Sequence, residues 1–267
     1  MTRGHLTRNL IRLAFLCIVA SFVLAPMLAT VLGGFKTNAE IRTNALGLPA
    51  LWDTQFYGAI MSDPAFWRYL GNSLVISIGS AAAYVFAQIT FFGSRMLFSY
   101  VLLGLMFPFA TAILPLFIKV RDIGLLDTYW AVILPQTAFS LSLAILLFRT
   151  FFAQLPKELF EAAYIDGCGY VRFFWRFTLP LSAPILATVG TFVFVQSWNN
   201  FLLPLVVLNS RDVFTWPLGM MQFRGEYVTQ WNLTLAFVTL TILPAIVFFL
   251  AAQKYIVAGL TGGAVKG

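Results

Sequence analysis

The sequence is poor in charged residues. Asp, Glu, Lys and Arg make up only 10% of its 267 residues, whereas 60% are hydrophobic and 16% are aromatic. Soluble domains contain about 25% charged residues, so this chain has too little polar surface to cover a water-soluble globule. The same hydrophobic content excludes an intrinsically disordered chain. The composition therefore indicates a membrane protein.

The residue types that carry most enzyme chemistry are also scarce. His5 is the single histidine, so neither a His-based catalytic triad nor a multi-His metal site can form. The two cysteines, Cys17 and Cys168, lack metal-site spacing and are too few for a disulfide scaffold. The sequence also lacks a Gly-x-x-x-x-Gly-Lys-Ser/Thr loop for ATP. We predict no catalytic residues, no metal site and no bound cofactor, and hence not an enzyme.

Charge-free stretches divide the chain into six windows. They are residues 13–35, 69–94, 96–118, 128–148, 177–210 and 227–253. Crossing a bilayer core of about 30 Å takes about 20 helical residues, and every window reaches that length. We predict an all-α polytopic membrane protein with six transmembrane helices. The first window is too long for the core of a secretory signal, so we expect it to be retained.

The middles of these windows contain no ionisable residue, although such residues usually mark proton or ion pathways in membrane proteins. Energy for uphill transport must then come from another subunit. Neutral polar residues are present in the spans, and they fit either hydrogen bonding between helices or a pathway for a hydroxylated solute. The candidates for such a pathway are Asn72, Gln196, Asn199 and Asn200.

The distribution of positive charge predicts the orientation. With six spans both termini lie on one side, and that side carries ten of the 17 Lys and Arg residues. The ten are Arg3, Arg8, Arg12, Arg95, Arg149, Lys157, Arg172, Arg176, Lys254 and Lys266. Since cytoplasmic loops are enriched in Lys and Arg, we place both termini in the cytoplasm.

The longest predicted cytoplasmic segment, residues 149–180, looks more structured than a simple turn. Pro156 suits the first turn of a helix, and Glu158 and Glu161 suit its positive end. Gly167 is well placed as a left-handed helix stop. We predict a helix over about 156–167 and a second short helix carrying an aromatic stripe. Such a pair fits either an interfacial helix on lipid or a knob inserted into a cytoplasmic partner.

A resemblance favours the second alternative. The run Glu161-Ala162-Ala163-Tyr164-Ile165-Asp166-Gly167, followed by Leu179-Pro180, resembles the EAA motif of binding-protein-dependent ABC importer permeases. Other segments resemble the carbohydrate-uptake branch, in particular its maltose-type second permease subunit. They are Asn72-Ser73, Gly124-Leu125-Leu126-Asp127-Thr128, Trp198-Asn199-Asn200-Phe201 and the tail 259–267.

The resemblance implies a multisubunit system located in a bacterial or archaeal cell membrane. This chain would pair with a second homologous permease, two ATPase subunits that bind the ATP, and an extracytoplasmic solute-binding protein. The helix between spans four and five would be the coupling helix that docks on the ATPase. Its coupling residues would be Phe160, Glu161, Ala162, Ala163, Asp166, Gly167, Leu179 and Pro180. Residues 1–68 would hold the first span and an external segment, and residues 69–267 the permease domain.

Four positions depart from the family pattern. Gln88 stands where the family often has Arg, Asn200 where an acidic residue is common, Phe160 where Glu is common, and Cys168 where a small residue is usual. The alternatives are an ABC permease for a non-sugar solute and a structural or assembly subunit of a membrane complex. The sequence leaves open which solute is carried.

The predicted orientation can be tested by cysteine labelling in a background without Cys17 and Cys168. Because residues 36–67 are expected outside, Ala50→Cys should react with a membrane-impermeant thiol reagent in intact cells. Val265→Cys should react only after the membrane is opened. The reverse pattern would overturn the orientation and the position of the coupling helix with it.

Overall fold

The computed structural model describes residues 3–86, 103, 106, 108–152, 157–225 and 228–261. Within these residues the regular structure is helical, and one isolated bridge pairs Arg224 with Thr229. The predicted all-α class is thereby confirmed. Gln88 and Pro156 lie outside the described residues, as do residues 262–267 of the tail.

Thirteen α-helices are labelled here in chain order within the described part of the chain. They are α1 (Arg3–Gly33), α2 (Asn38–Thr43), α3 (Gln55–Ser62), α4 (Pro64–Phe86), α5 (Phe109–Asp122), α6 (Trp130–Phe152), α7 (Lys157–Ile165), α8 (Tyr170–Phe173), α9 (Leu179–Leu181), α10 (Ala183–Trp198), α11 (Leu202–Val207), α12 (Trp216–Gly219) and α13 (Trp231–Thr261). A π-helical turn, Phe174–Thr178, joins α8 to α9, and two 3-10 turns, Arg211–Val213 and Met220–Phe223, flank α12.

Three described helices are long and apolar enough to cross a membrane, at Arg8–Gly33, Trp130–Phe148 and Trp231–Gln253. A fourth crossing results if Phe174–Leu181 and Ala183–Trp198, which are bent by 61°, form one broken span. The other two predicted windows begin in α4 and end in α5, and the residues that join them are largely outside the described part. Six crossings therefore remain a prediction.

The chain forms two compact units. One contains Met1–Trp67 and Met220–Leu243, and the other contains Arg68–Gly219 and Pro244–Gly267. In the second unit an apolar cluster packs α6 against α10 through Ala144, Phe148, Ile185, Val189 and Val193. These two helices flank the segment that holds α7 in the sequence, so their packing fixes both ends of that segment.

A second apolar cluster in the same unit lies at the start of α6 and just beyond the end of α10. It contains Ile76, Val120, Ala131, Val132, Ile133, Leu203, Val207, Leu208 and Leu218. The turn from α5 to α6 closes beside it. Gly124 has φ +71°, and the Leu125 N–H donates to the Val120 carbonyl at 3.0 Å, which is the hydrogen bond of a Schellman helix end.

Asp127 joins this turn to the segment after α11. Its φ is +58°, a left-handed value that few non-glycine residues adopt. Its carboxylate accepts hydrogen bonds from the Asn209 N–H and, at 2.8 Å, from the Ser210 N–H. The Ser210 bond is the main reason that the pKa of Asp127 lies below its ordinary value. The ionised carboxylate thus stabilises the left-handed turn that it closes.

Asp127→Ala should therefore lower the free energy of unfolding by about 1–2 kcal/mol, because two hydrogen bonds are lost and Ala is strained at positive φ. The difference in unfolding free energy between the wild type and Asp127→Ala should be largest above the ordinary Asp pKa of about 4. It should fade as the pH falls through the lower pKa of the folded chain. Thermal unfolding of the reconstituted protein at several pH values measures this difference.

Asp122→Ala is the matched control, because the exposed Asp122 carboxylate pairs with its exposed neighbour Arg121 and bridges no distant segment among the described residues. An equal loss in the two variants would contradict the role given to Asp127.

Candidate coupling helix and pathway residues

The helix α7 is built to end sharply. The Asp166 N–H donates to the Ala162 carbonyl at 3.0 Å, and the Cys168 N–H donates to the Ala163 carbonyl at 2.9 Å. Between them Gly167 has φ +71°. This is a Schellman end with glycine at its left-handed position, so the left-handed stop predicted at Gly167 is confirmed. A Cβ at Gly167 would meet nothing within 4 Å, so its backbone conformation alone favours glycine.

The structure exposes one face of α7 and buries another. Glu161, Ala162 and Asp166 are exposed, whereas Ala163 is buried. The side chain of Phe160 is outside the described part. Ile165 is 82% exposed, next to the acidic groups. This exposure is not predictable from the sequence, because spacing alone does not show which apolar residue of a short helix faces outward.

The chain leaves α7 through an irregular connection rather than through one regular helix. The π turn Phe174–Thr178 follows α8, and Phe173 stacks on Phe177 with 5.3 Å between ring centroids. A π turn holds more residues than an α turn, so it alters the expected 3.6-residue aromatic stripe. Leu179 is half-buried and Pro180 is exposed where the chain bends towards α10.

The four pathway candidates fall in two places. Asn72, in α4, is buried, and its Nδ2 donates to the carbonyls of Asp212 (2.9 Å) and Phe214 (2.8 Å). Its Oδ1 accepts from the Tyr129 hydroxyl at 2.7 Å, so both ends of its amide are engaged. This bonding suits a residue that positions the 209–216 segment.

The other three candidates lie at the end of α10 and just beyond it. Gln196 and Asn199 are exposed and Asn200 is half-buried. Asn199 Nδ2 donates to the Val195 carbonyl at 2.8 Å, and Asn200 Oδ1 accepts from the Leu203 N–H at 3.2 Å. Both side chains therefore also stabilise the helix ends around the break between α10 and α11.

A buried polar contact joins three of the apolar helices. Gln136 in α6 accepts hydrogen bonds at its Oε1 from Ser80 in α4 (3.2 Å) and from Ser197 in α10 (2.6 Å). All three residues are buried. They were among the neutral polar residues in the charge-free windows, but their mutual contact depends on helix packing and not on local spacing.

Comparison with known proteins identifies the family. The profile of the family described as "Binding-protein-dependent transport system inner membrane component" matches residues 75–262. The chain belongs to this family. The match covers α7, the connection to α10, and the amide-bearing end of α10.

Two relatives show which branch of the family the chain resembles. The chain is 38% identical, over 95% of its length and 94% of the relative's, to the arabinooligosaccharides transport system permease protein AraQ of Halalkalibacterium halodurans. It is 37% identical to the trehalose/maltose transport system permease protein MalG of Thermococcus litoralis, over 79% of this chain and 80% of that one. The predicted resemblance to the carbohydrate-uptake permeases is confirmed.

A solved structure shares the fold. It belongs to a bacterial ABC transporter involved in the import of the acidic polysaccharide alginate. The TM-score is 0.76, with 96% of this chain and 98% of that chain covered at 22% sequence identity. The helical arrangement described above is therefore the ABC permease fold.

Substitutions at Gly167 should separate backbone conformation from side-chain size. Asn tolerates the left-handed region, so Gly167→Asn should retain most uptake. Gly167→Val should lose most uptake, and Gly167→Pro should abolish it because proline fixes φ near −65°. Uptake, membrane abundance and ATPase retention are measured for each variant. Equal uptake by the Asn and Val variants would contradict a conformational role, and a parallel loss of abundance and uptake would indicate misfolding.

Proposed function

We propose that this chain is the transmembrane permease subunit of an ATP-driven importer in a bacterial or archaeal cell membrane. With a second homologous permease it forms the path for a sugar or related polyhydroxylated solute that a binding protein delivers. Two ATPase subunits bind and hydrolyse the ATP. The chain crosses the membrane six times, with both termini in the cytoplasm.

The proposal rests on the exposed face of α7, together with the membership of the chain in this permease family. Glu158, Glu161 and Asp166 give that face negative charge, and Ile165 adds an apolar knob. A helix of this kind fits a groove that offers basic side chains around an apolar pocket. Ala162 allows close approach. The ATPase-coupling set is Phe160, Glu161, Ala162, Ala163, Asp166, Gly167, Leu179 and Pro180.

Motion reaches the spans through the helices on either side of α7. The Gly167 stop and the Leu179–Pro180 bend lie in the connection from α7 to α10, and α10 packs on α6 through Phe148 and Ile185. Gln136 and Ser197 add a hydrogen bond along the same pair of helices. Closure of the ATPases displaces α7, and the α6–α10 pair moves with it. ATP then favours one packing of the spans because it binds that state more tightly.

The pathway is polar but uncharged. Gln196, Asn199 and Asn200 offer amide groups that hydrogen-bond hydroxyls, and Asn72 positions the nearby chain segment. The charge-free spans suit a neutral solute, and they contain no ion pathway, so ATP supplies the energy for transport. The transported molecules named for the relatives, arabinooligosaccharides and trehalose/maltose, are of this chemical class.

Reversing one charge on α7 tests the docking face. Glu161→Lys should abolish solute uptake and release the ATPase during purification in mild detergent, while the second permease remains bound. Loss of one partner of a buried charge pair costs about 3–5 kcal/mol, which is enough to break such a contact. Co-purification and uptake of labelled oligosaccharide are measured together with membrane abundance.

Asp122→Lys is the matched control, since it makes the same charge change on an exposed acid far from α7 in the sequence. It should leave ATPase retention intact. Normal uptake by Glu161→Lys would mean that α7 lies on lipid. Uptake by the wild-type chain without an ATPase would refute the proposed function.

A further inference from the structure

Residues 45–52, which follow α2, form an unusually apolar exposed loop. The loop carries no charge. Leu46, Leu48 and Leu51 are 77%, 70% and 77% exposed, and Trp52 is 61% exposed. So many large apolar side chains in one short exposed segment mark an interaction surface rather than ordinary water-facing loop.

The backbone of this loop is fixed by polar contacts beneath it. Lys36 is fully buried, and its Nζ donates to the carbonyls of Asn44 (2.7 Å), Ala45 (3.4 Å) and Gly47 (2.7 Å). Glu40 Oε1 accepts from the Ala50 N–H at 2.7 Å. A buried ammonium with three carbonyl partners is fully satisfied, since it has three donors. These hydrogen bonds therefore hold the loop backbone in the conformation that exposes the leucines.

The same loop packs beside the end of the first membrane helix. The Trp52 and Tyr57 rings lie 5.3 and 4.8 Å from the Phe35 ring, between centroids. The Tyr57 hydroxyl donates to the Val31 carbonyl in the last turns of α1 at 2.7 Å. The gap at Gly34 is filled by Tyr57, so a Cβ there would overlap the ring.

This position corresponds to the membrane surface. The charge-free part of α1, residues 13–33, spans about 32 Å, whereas the hydrocarbon core is about 30 Å thick. The C-terminal end of α1, with Phe35 just beyond it, therefore lies near the lipid headgroups. Trp and Tyr concentrate at that depth, because their rings are apolar and their N–H and O–H groups reach polar partners.

We propose that residues 45–52 rest in the lipid interface of the leaflet where α1 ends. Leu46, Leu48 and Leu51 face the acyl chains beside Trp52, and Lys36 holds the loop in the shape that presents them. Lipid fits better than a soluble protein because the loop is continuous with the end of α1. The Lys36 ammonium beneath the loop is also turned inward onto carbonyls instead of outward to a partner. The assignment holds for either orientation of the chain and is independent of the transported solute.

A fluorophore attached at Leu48→Cys tests the assignment. The chain, without Cys17 and Cys168 and in its purified membrane complex, is reconstituted with phosphatidylcholine brominated near the headgroup end of its acyl chains. The label should lose about half of its emission relative to unbrominated lipid, as expected for a group at the acyl boundary. Arg42→Cys, on the exposed polar side of α2, is the matched control and should lose little. Equal quenching at the two positions, or none at Leu48→Cys, would overturn the proposal.

A second variant isolates the role of Lys36. Lys36→Met keeps most of the unbranched side chain and removes the terminal ammonium with its three hydrogen bonds, so the quenching difference between Leu48→Cys and Arg42→Cys should fall by about half or more as the loop loosens. An unchanged difference would show that the ammonium does not hold the loop. Protection of the Leu48→Cys label by added soluble binding protein, without lipid quenching, would assign the loop to that partner and overturn the lipid assignment.

Discussion

The packing of α6 against α10 is the interaction on which the position of α7, the proposed coupling helix, depends. The described residues between them, 157–182, form only short helices, and none of these could hold its place alone, because short isolated helices are marginal in water. The apolar cluster of Phe148, Ile185 and Val189 brings the two ends of this segment together. A single contact surface thus sets the position of α7 and connects it to the spans. That is the arrangement that a device for transmitting motion requires.

Local chemistry made part of this structure predictable from the sequence. Charge-free windows indicate spans because charge in lipid is expensive, and a glycine after an apolar helical turn indicates a left-handed stop because other residues are strained there. Both rules concern residues close together in the chain, and the φ of Gly167 agrees with the second. The family resemblance was predictable for the same reason, since its motif is a continuous run around Glu161.

The remaining features depend on contacts between distant residues. Asn72 binds the carbonyls of residues 212 and 214, and its partner Tyr129 lies in the turn just before α6, so no local pattern distinguishes Asn72 from a pathway amide. The 61° bend lies between Pro180 and Pro184, but a proline does not determine the angle of a bend, which neighbouring packing sets. Ile165 illustrates the same limit, because its exposure is decided by what packs against the other side of α7.

The buried amide of Gln136 fits the need for two alternative packings of the spans. One oxygen holds serines on two neighbouring helices, while Nε2 has no partner among the described residues. Hydrogen bonds between membrane helices contribute about 0.6 kcal/mol each on average, so the two together do not exceed the coupling energies of about 1–3 kcal/mol that separate functional states. They can set the register of α4, α6 and α10 without preventing a shift. Ionic contacts in the same place would be too costly to break and remake in lipid, and the spans contain none in the described residues. Neutral polar contacts therefore serve both needs, a defined resting arrangement and a low barrier to leaving it.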